Sequence, residues 1–383
     1  MNTPARCRIA VVGACPFPVP QGSQVYLHET ARALRGQGHP VDLVTYGYGQ
    51  GDYDGDLPLH RAANFFGSRR TRSGPSFVKP FLDAALVSRL RRVVRDRAID
   101  VVDAHNYEGL AVALAAGHRP VVYHAHNAMA DELPHYTRAK RAAAGFGRWL
   151  DRSLPRRAEC VIAPHAVLAD YLVECGCEAG RVHTVPPPMD LDGFEPCTER
   201  IATPSVLYTG NLDAYQNLPF LMRVMEAVRR RVRNARLTIA THSEVDSTSY
   251  PEYVDRVHLS DRDALRDLLR QDAVFVCPRV SWSGYPIKVL NAMAAAQAIV
   301  CCESAAHALT HEADGLTVPD DDIEAFAEAV TGLLRDETAR RELGRKARET
   351  LVTMHDPAKV GAALSDLFDL ACGDASTQSS VVL

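Results

Sequence analysis

The 383-residue sequence has no apolar run approaching the roughly 20 residues that a bilayer-crossing helix requires, so a membrane-spanning protein is not expected. It has no paired Cys-x-x-Cys spacing among its ten cysteines. Cys7, Cys277, Cys301 and Cys302 lie in or beside apolar strand-like runs, where a thiol serves as a small hydrophobe, and a reducing cytoplasm is the expected compartment. It has no basic segment interleaved with aromatic residues, which argues against nucleic acid as a partner. No acidic triad suggests a metal centre; the run Asp320, Asp321, Asp322 reads as a solvated turn leading into a helix. The amino-terminal stretch, with Arg6 and Arg8 ahead of a short apolar run, reads as the approach to a core strand and not as a signal segment.

What is present is ordinary for a globular chain: 46% hydrophobic and 23% charged residues. The length suits two domains of roughly 150–200 residues. The net charge of −4 is unevenly spread, because residues 61–160 carry 18 Lys/Arg against 9 Asp/Glu. Arg69, Arg70, Arg72 and Lys79 form one cluster, Arg89 to Arg97 a second, and Arg138 to Arg157 a third. Solvated helix faces account for such charge. A sharper reading is a peripheral contact of region 61–160 with an anionic membrane, at the inner membrane face, or with a phosphorylated acceptor.

The run Arg8–Ala14 ends in a Pro/Gly loop, after which Val25, Leu27, Ala31 and Leu34 recur at helical spacing. Apolar strand-like runs follow at 39–47, 97–105, 119–126, 158–166 and 181–188, with helical segments at 80–96, 108–116 and 136–153. Such alternation implies a parallel sheet covered on both faces. The pattern restarts after the prolines at 186–188, which can continue neither a helix nor a central strand. Strands are expected at 205–211, 235–242, 273–279 and 298–304, with helices at 218–232, 261–271, 288–296 and three more from 322 to 371. The expected domains are therefore 1–188 and 189–371, the last helix either closing the second or crossing back to the first, with 372–383 as a disordered polar tail.

Ligands of parallel sheets bind beyond the carboxyl ends of strands, so the residues there are the candidates. Gly22, between the first strand and its helix, either makes a turn or lets a phosphate approach backbone N–H groups. His105 and His126 each end a strand-like run and share a crevice if the sheet is parallel; each is either structural or available to a sugar hydroxyl, His126 being the candidate catalytic residue. His124 reads as deeper. In the segment 277–300, Arg279 follows a strand, Gly284 and Tyr285 lie in a short loop, and Lys288 opens a helix. Two cations beside a helix N-terminus suit a diphosphate, and Asn291, on the same helix face as Lys288, suits a ribose or sugar hydroxyl.

With those residues in place, the chain resembles the retaining family 4 glycosyltransferases of GT-B fold over nearly its whole length. The segment 182–196, with Asp190, Phe194 and Pro196, resembles the family's interdomain segment, and 283–294 its donor-sugar loop and helix. The resemblance implies two facing Rossmann-like domains with a cleft between them, a nucleotide sugar as co-substrate with no other cofactor and no metal, and a lipid-linked, glycan or small-molecule acceptor over the first domain, with Gln24, His105 and Asn127 on the acceptor side. Two departures qualify it. Ser283 and Asn291 stand where the family has two glutamates, and Asn211 and Gln216, after Gly210, stand where it has an Arg and a Lys. Arg279 and Lys288 are expected to replace the lost cations, with Asn211 and Gln216 as neutral hydrogen-bond donors. The competing readings are a decayed GT-B scaffold and a sugar-nucleotide epimerase of the same architecture.

Overall fold

The structure is a computed structural model that describes residues 6–50, 53, 55, 57–65, 67, 77–199, 203–242 and 250–379. The chain divides into two compact units, Met1–Pro188 with His355–Leu383, and Met189–Met354.

The first unit is built on strands β1 (Ile9–Gly13), β2 (Val41–Thr45), β3 (Leu59–Arg61), β4 (Val101–His105), β5 (Val121–His124), β6 (Cys160–Ala163) and β7 (Val182–Thr184). All pair in parallel, in the order β3-β2-β1-β4-β5-β6-β7. Helices α1 (Gly22–Gly36), α2 (Lys79–Asp96), α3 (Asn106–Ala116), α4 (Met129–Glu132), α5 (Lys140–Ser153) and α6 (Ala166–Glu174) make the crossovers. The central strands are mostly apolar because helices cover both faces; every residue of β1, β2 and β4 is buried, including the polar Asp42, Thr45, Asp103 and His105.

The second unit repeats the plan with β8 (Ser205–Thr209), β9 (Arg236–Thr241), β10 (Val254–His258), β11 (Val274–Cys277), β12 (Ala298–Cys302) and β13 (Leu316–Val318), in the order β10-β9-β8-β11-β12-β13. Its helices are α7 (Leu218–Arg231), α8 (Arg262–Leu269), α9 (Ile287–Ala294), α10 (Ile323–Arg335) and α11 (Glu337–Met354). Asp322 caps α10 by accepting from the Ala325 N–H at 3.0 Å. Both units are thus Rossmann-like, and in each the strand order reverses at one point: between β1 and β4, and between β8 and β11.

The last helix takes one of the two courses expected for it, and three other expectations change. The final helix α12 (Pro357–Ser379) belongs to the first unit, where Val360, Leu364 and Phe368, four residues apart, enter its core. Its backbone stays helical through Ser379, so 372–379 continues a helix where a disordered tail was expected; 380–383 lie outside the described residues. The helix expected over 136–153 is broken: a short turn ends at Tyr136 and α5 begins at Lys140. Strands β3, β10 and β13 were not anticipated, because they are sheet edges with half-exposed or charged residues and lack the apolar runs of central strands.

Candidate functional site

In the second unit, the expected donor residues gather at the reversal between β8 and β11. The chain leaves β8 through Gly210, whose φ of +133° is a conformation that side chains disfavour. A Cβ there would stand 3.4 Å from both the Lys288 Nζ and the Tyr208 hydroxyl, an ordinary contact, so the backbone conformation and not the space calls for glycine. Lys288, near the start of α9, is half-buried, with its Nζ 4.2 Å from the Tyr208 ring centroid. Its ammonium donates to Oε1 of Gln216. Burial pulls its pKa down to about 8; Arg279 pushes the same way, and the Cys277 and Cys301 thiols oppose.

Arg279 follows β11, with its guanidinium 5.0 Å above the Tyr215 ring and its Nη2 donating to Ser281 Oγ at 3.0 Å. A Cβ on Gly284 would come within 2.0 Å of that Nη2, so only glycine fits beside the guanidinium as it lies. Two cations held near one another, beside the start of a helix that has no side-chain cap, make a positive pocket of the kind that takes phosphates.

The amides expected to donate to a ligand are engaged with their neighbours instead. Gln216 Nε2 donates to Asn211 Oδ1 at 2.8 Å, and Asn211 Nδ2 donates to Asp213 at 2.8 Å and to the Tyr215 hydroxyl at 3.0 Å. The physical reason is that the buried Gln216 must satisfy both ends of its amide, and Lys288 and Asn211 do so. In this structure the pair holds the lysine in place. Ser283 is fully buried, Asn291 is half-buried one turn along α9 from Lys288, and Tyr285 stacks on His307 with centroids 6.3 Å apart. His307 Nε2 meets the Trp282 carbonyl at 2.8 Å, tying the loop to the segment after β12. Tyr208, Tyr215 and His307 were missed; Tyr208 and Tyr215 were legible only as aromatic residues beside Gly210 and Asn211.

In the first unit, Gly22 opens α1 and is exposed, whereas Gln24 is buried and its Oε1 finds no partner among the described residues. His105 and His124 end neighbouring strands in register, their rings parallel and 4.5 Å apart. Beneath them is Asp103, fully buried, which the sequence reading overlooked although it lies two residues before His105 on the same strand. Asp103 Oδ1 takes His124 Nδ1 at 2.6 Å, and Oδ2 takes His105 Nε2 at 3.2 Å. Burial opposes charge on this carboxyl, but the His124 and His105 contacts outweigh it and hold its pKa below the usual carboxylate range. His105 Nδ1 meets His126 Nε2 at 2.9 Å, and Tyr26 stacks on the His126 ring at 4.8 Å.

Among the described residues, ligating atoms of Asp103, His105 and His124 lie within 4.8 Å of one another. Each ring commits one nitrogen to the carboxylate, His105 Nδ1 meets His126, His124 Nε2 is buried with no partner among the described residues, and parallel rings do not converge on a common ion, so a hydrogen-bonded chain accounts for the cluster. Asn127 Nδ2 donates to Glu132, which also receives the Tyr136 hydroxyl at 3.2 Å. Burial and the nearby Glu108 push the Glu132 pKa up to about 7. Nothing in the sequence pattern singled out Glu132.

A Glycosyltransferase Family 4 model matches residues 20–193, and a Glycosyl transferases group 1 model matches residues 203–336. The chain spans between 8% and 25% of the length of the curated relatives it matches. One is the N,N'-diacetylbacillosaminyl-diphospho-undecaprenol alpha-1,3-N-acetylgalactosaminyltransferase of Campylobacter jejuni, 32% identical over 94 residues, which are 24% of this chain and 25% of that protein. Among solved structures, sucrose-phosphate synthase from Thermosynechococcus elongatus is similar with a TM-score of 0.77 at 16% identity, over 95% of this chain and 99% of that one. Anabaena HepE in complex with UDP and glucose is similar with a TM-score of 0.70 at 12% identity, over 95% and 99%.

Proposed function

The chain belongs to the family 4 glycosyltransferases with the GT-B fold, and on that premise we propose that it moves a sugar from a nucleoside diphosphate donor, UDP favoured, to a lipid-linked, glycan or small-metabolite acceptor, with retention and without a metal. The observation that carries the reading is the placement of Arg279 and Lys288 together beside the free start of α9. Like charges held close are costly, and a diphosphate between them removes the cost. As the glycosidic bond breaks, the same cations and helix N–H groups stabilise the departing diphosphate, which is the work a metal does elsewhere. A decayed site has no reason to keep Lys288 half-buried on Gln216 and Tyr208.

The preference for UDP is supported by the HepE complex, and that for a lipid-linked acceptor by the diphospho-undecaprenol in the Campylobacter relative's name. Helix α5 supports the second as well. Phe146 and Trp149 stack on each other at 5.7 Å while 56% and 60% exposed, and Arg138, Lys140, Arg141, Arg148 and Arg152 are exposed around them. An exposed aromatic pair among basic residues suits peripheral contact with an anionic bilayer. Asp151 on α5 accepts from the Met129 and Ala130 N–H groups at 2.9 Å each, joining that helix to the segment that follows His126 and Asn127. Arg69, Arg70 and Arg72 of the basic region lie outside the described residues. No helix among the described residues is long and apolar enough to cross a membrane, and all ten cysteines are free, as suits a protein at the cytoplasmic face.

The test is a thermal-shift panel with UDP, GDP, ADP and TDP and their common sugars, without added metal. Binding raises the melting temperature by mass action, and the expected result is a shift with the uridine series. Folded protein that shifts with none of them refutes the reading.

A further inference from the structure

The hydrogen-bonded chain beneath His126 fixes where that histidine carries its proton. We propose that Asp103, acting through His105, is a positioning residue that holds His126 as its Nε2–H tautomer and leaves Nδ1 as a bare acceptor for a substrate hydroxyl. The hydroxyl contact rests on the transferase reading above; the tautomer does not.

The derivation starts from the carboxylate. An ionised carboxylate only accepts, so His124 must present Nδ1–H to Oδ1 and His105 must present Nε2–H to Oδ2. Burial lowers the pKa of His105 in spite of the adjacent Asp103, so the ring is neutral and holds a single proton, already committed at Nε2. Its Nδ1 is then a lone pair. The 2.9 Å contact with His126 Nε2 is a hydrogen bond only if His126 supplies the proton. His126 is also neutral, its pKa driven well down by burial and by the neighbouring His105, so its second nitrogen is bare. That Nδ1 makes no hydrogen bond among the described residues. Tyr26 holds the arrangement still, stacking on His126 and meeting the rings of His105 and His124 edge-on at 5.8 and 5.9 Å.

The consequence is directional. His126 in this state takes a hydrogen bond from an O–H and gives none, so it orients a hydroxyl and cannot act as an acid toward a leaving group. The other tautomer, whose Nδ1–H would donate to a hydroxyl oxygen, turns the recognition round. A carboxylate two residues from a strand-end histidine thereby decides what a third residue, on the next strand's loop, can recognise.

Histidine-selective 15N labelling and long-range proton–nitrogen correlation spectra test this, with the His126 signal assigned by its loss in His126→Ala. The expected wild-type result is protonation at Nε2 alone near neutral pH; protonation at Nδ1, or a mixture of both, overturns the proposal without touching the transferase reading. In Asp103→Asn the amide can donate to His105, so His126 should become a mixture of tautomers, and transfer should fall about ten- to a hundredfold while UDP affinity is unchanged. A folded Asp103→Asn protein with His126 still wholly Nε2-protonated removes the role of Asp103. Should that variant fail to fold, His105→Phe cuts the chain one step nearer and is expected to release the tautomer in the same way. Full transfer by His126→Ala refutes the hydroxyl contact alone, whereas wild-type protein that transfers no sugar refutes the reading on which that contact rests; the tautomer is read separately from either outcome.

Discussion

Lys288 donates its ammonium hydrogen to the side-chain carbonyl of Gln216, which lies 72 positions earlier in the chain and itself donates to Asn211. A neutral amide is thus held between the ammonium and a second amide. On the proposed function, Lys288 and Arg279 supply the positive charge that holds the diphosphate.

Removing either cation should therefore weaken donor binding while leaving the fold intact. A hydrogen bond to a charged group contributes about 1.5–3 kcal/mol, so Arg279→Ala and Lys288→Met should each raise the Kd for UDP by roughly ten- to a hundredfold. Isothermal titration calorimetry measures it. Unchanged affinity in both variants means that the diphosphate is held elsewhere.

The depressed pKa of Lys288 makes binding sensitive to pH. With the free-state pKa at about 8, the lysine is charged below pH 7 and binding takes up no proton. A bound diphosphate raises that pKa, so above pH 8 binding must capture a proton and the Kd should climb by up to about tenfold per pH unit. Lys288→Gln should bind more weakly with a flatter profile between pH 7 and 9. A wild-type Kd that stays level over that range contradicts the assignment.

Gly284→Ala tests the seat of Arg279 without removing a charge. The new methyl group would occupy the place of Nη2, so the guanidinium must leave Ser281 and Tyr215. UDP affinity should fall nearly as far as in Arg279→Ala, with little change in melting temperature because the displaced atoms end a flexible side chain. Wild-type affinity in Gly284→Ala would show that the observed seat of the guanidinium is not needed.

The aromatic pair on α5 should govern membrane association. Phe146→Ser with Trp149→Ser should abolish co-sedimentation with anionic phosphatidylglycerol vesicles and leave nucleotide binding as it was. Charge alone would leave vesicle binding salt-sensitive but unaffected by these substitutions.

The C-terminal helix should matter to the stability of the first unit. Phe368 is fully buried in that unit's core, so Phe368→Ala should cost about 3–5 kcal/mol, read as a lowered denaturation midpoint. A loss below about 1 kcal/mol would mean that α12 merely rests on the surface.

Much of this is legible in the amino-acid sequence alone. Apolar runs such as Ile9–Gly13 and Val274–Cys277 announced central parallel strands because burial on both faces leaves no polar position to alternate with. Strand ends then pointed to His105, His126, Arg279 and Lys288, since in a parallel sheet the carboxyl ends are where loops meet ligands. Those are properties of short segments, and composition and periodicity report them directly. What the sequence could not determine is which buried groups answer one another. Gln216 answers Lys288 and Asn211, Asp103 serves two histidines on different strands, and α12 returns to the first core. Each of these depends on register and packing between segments far apart in the chain, where a buried polar atom takes whichever partner the fold brings within reach, and no local pattern encodes that choice.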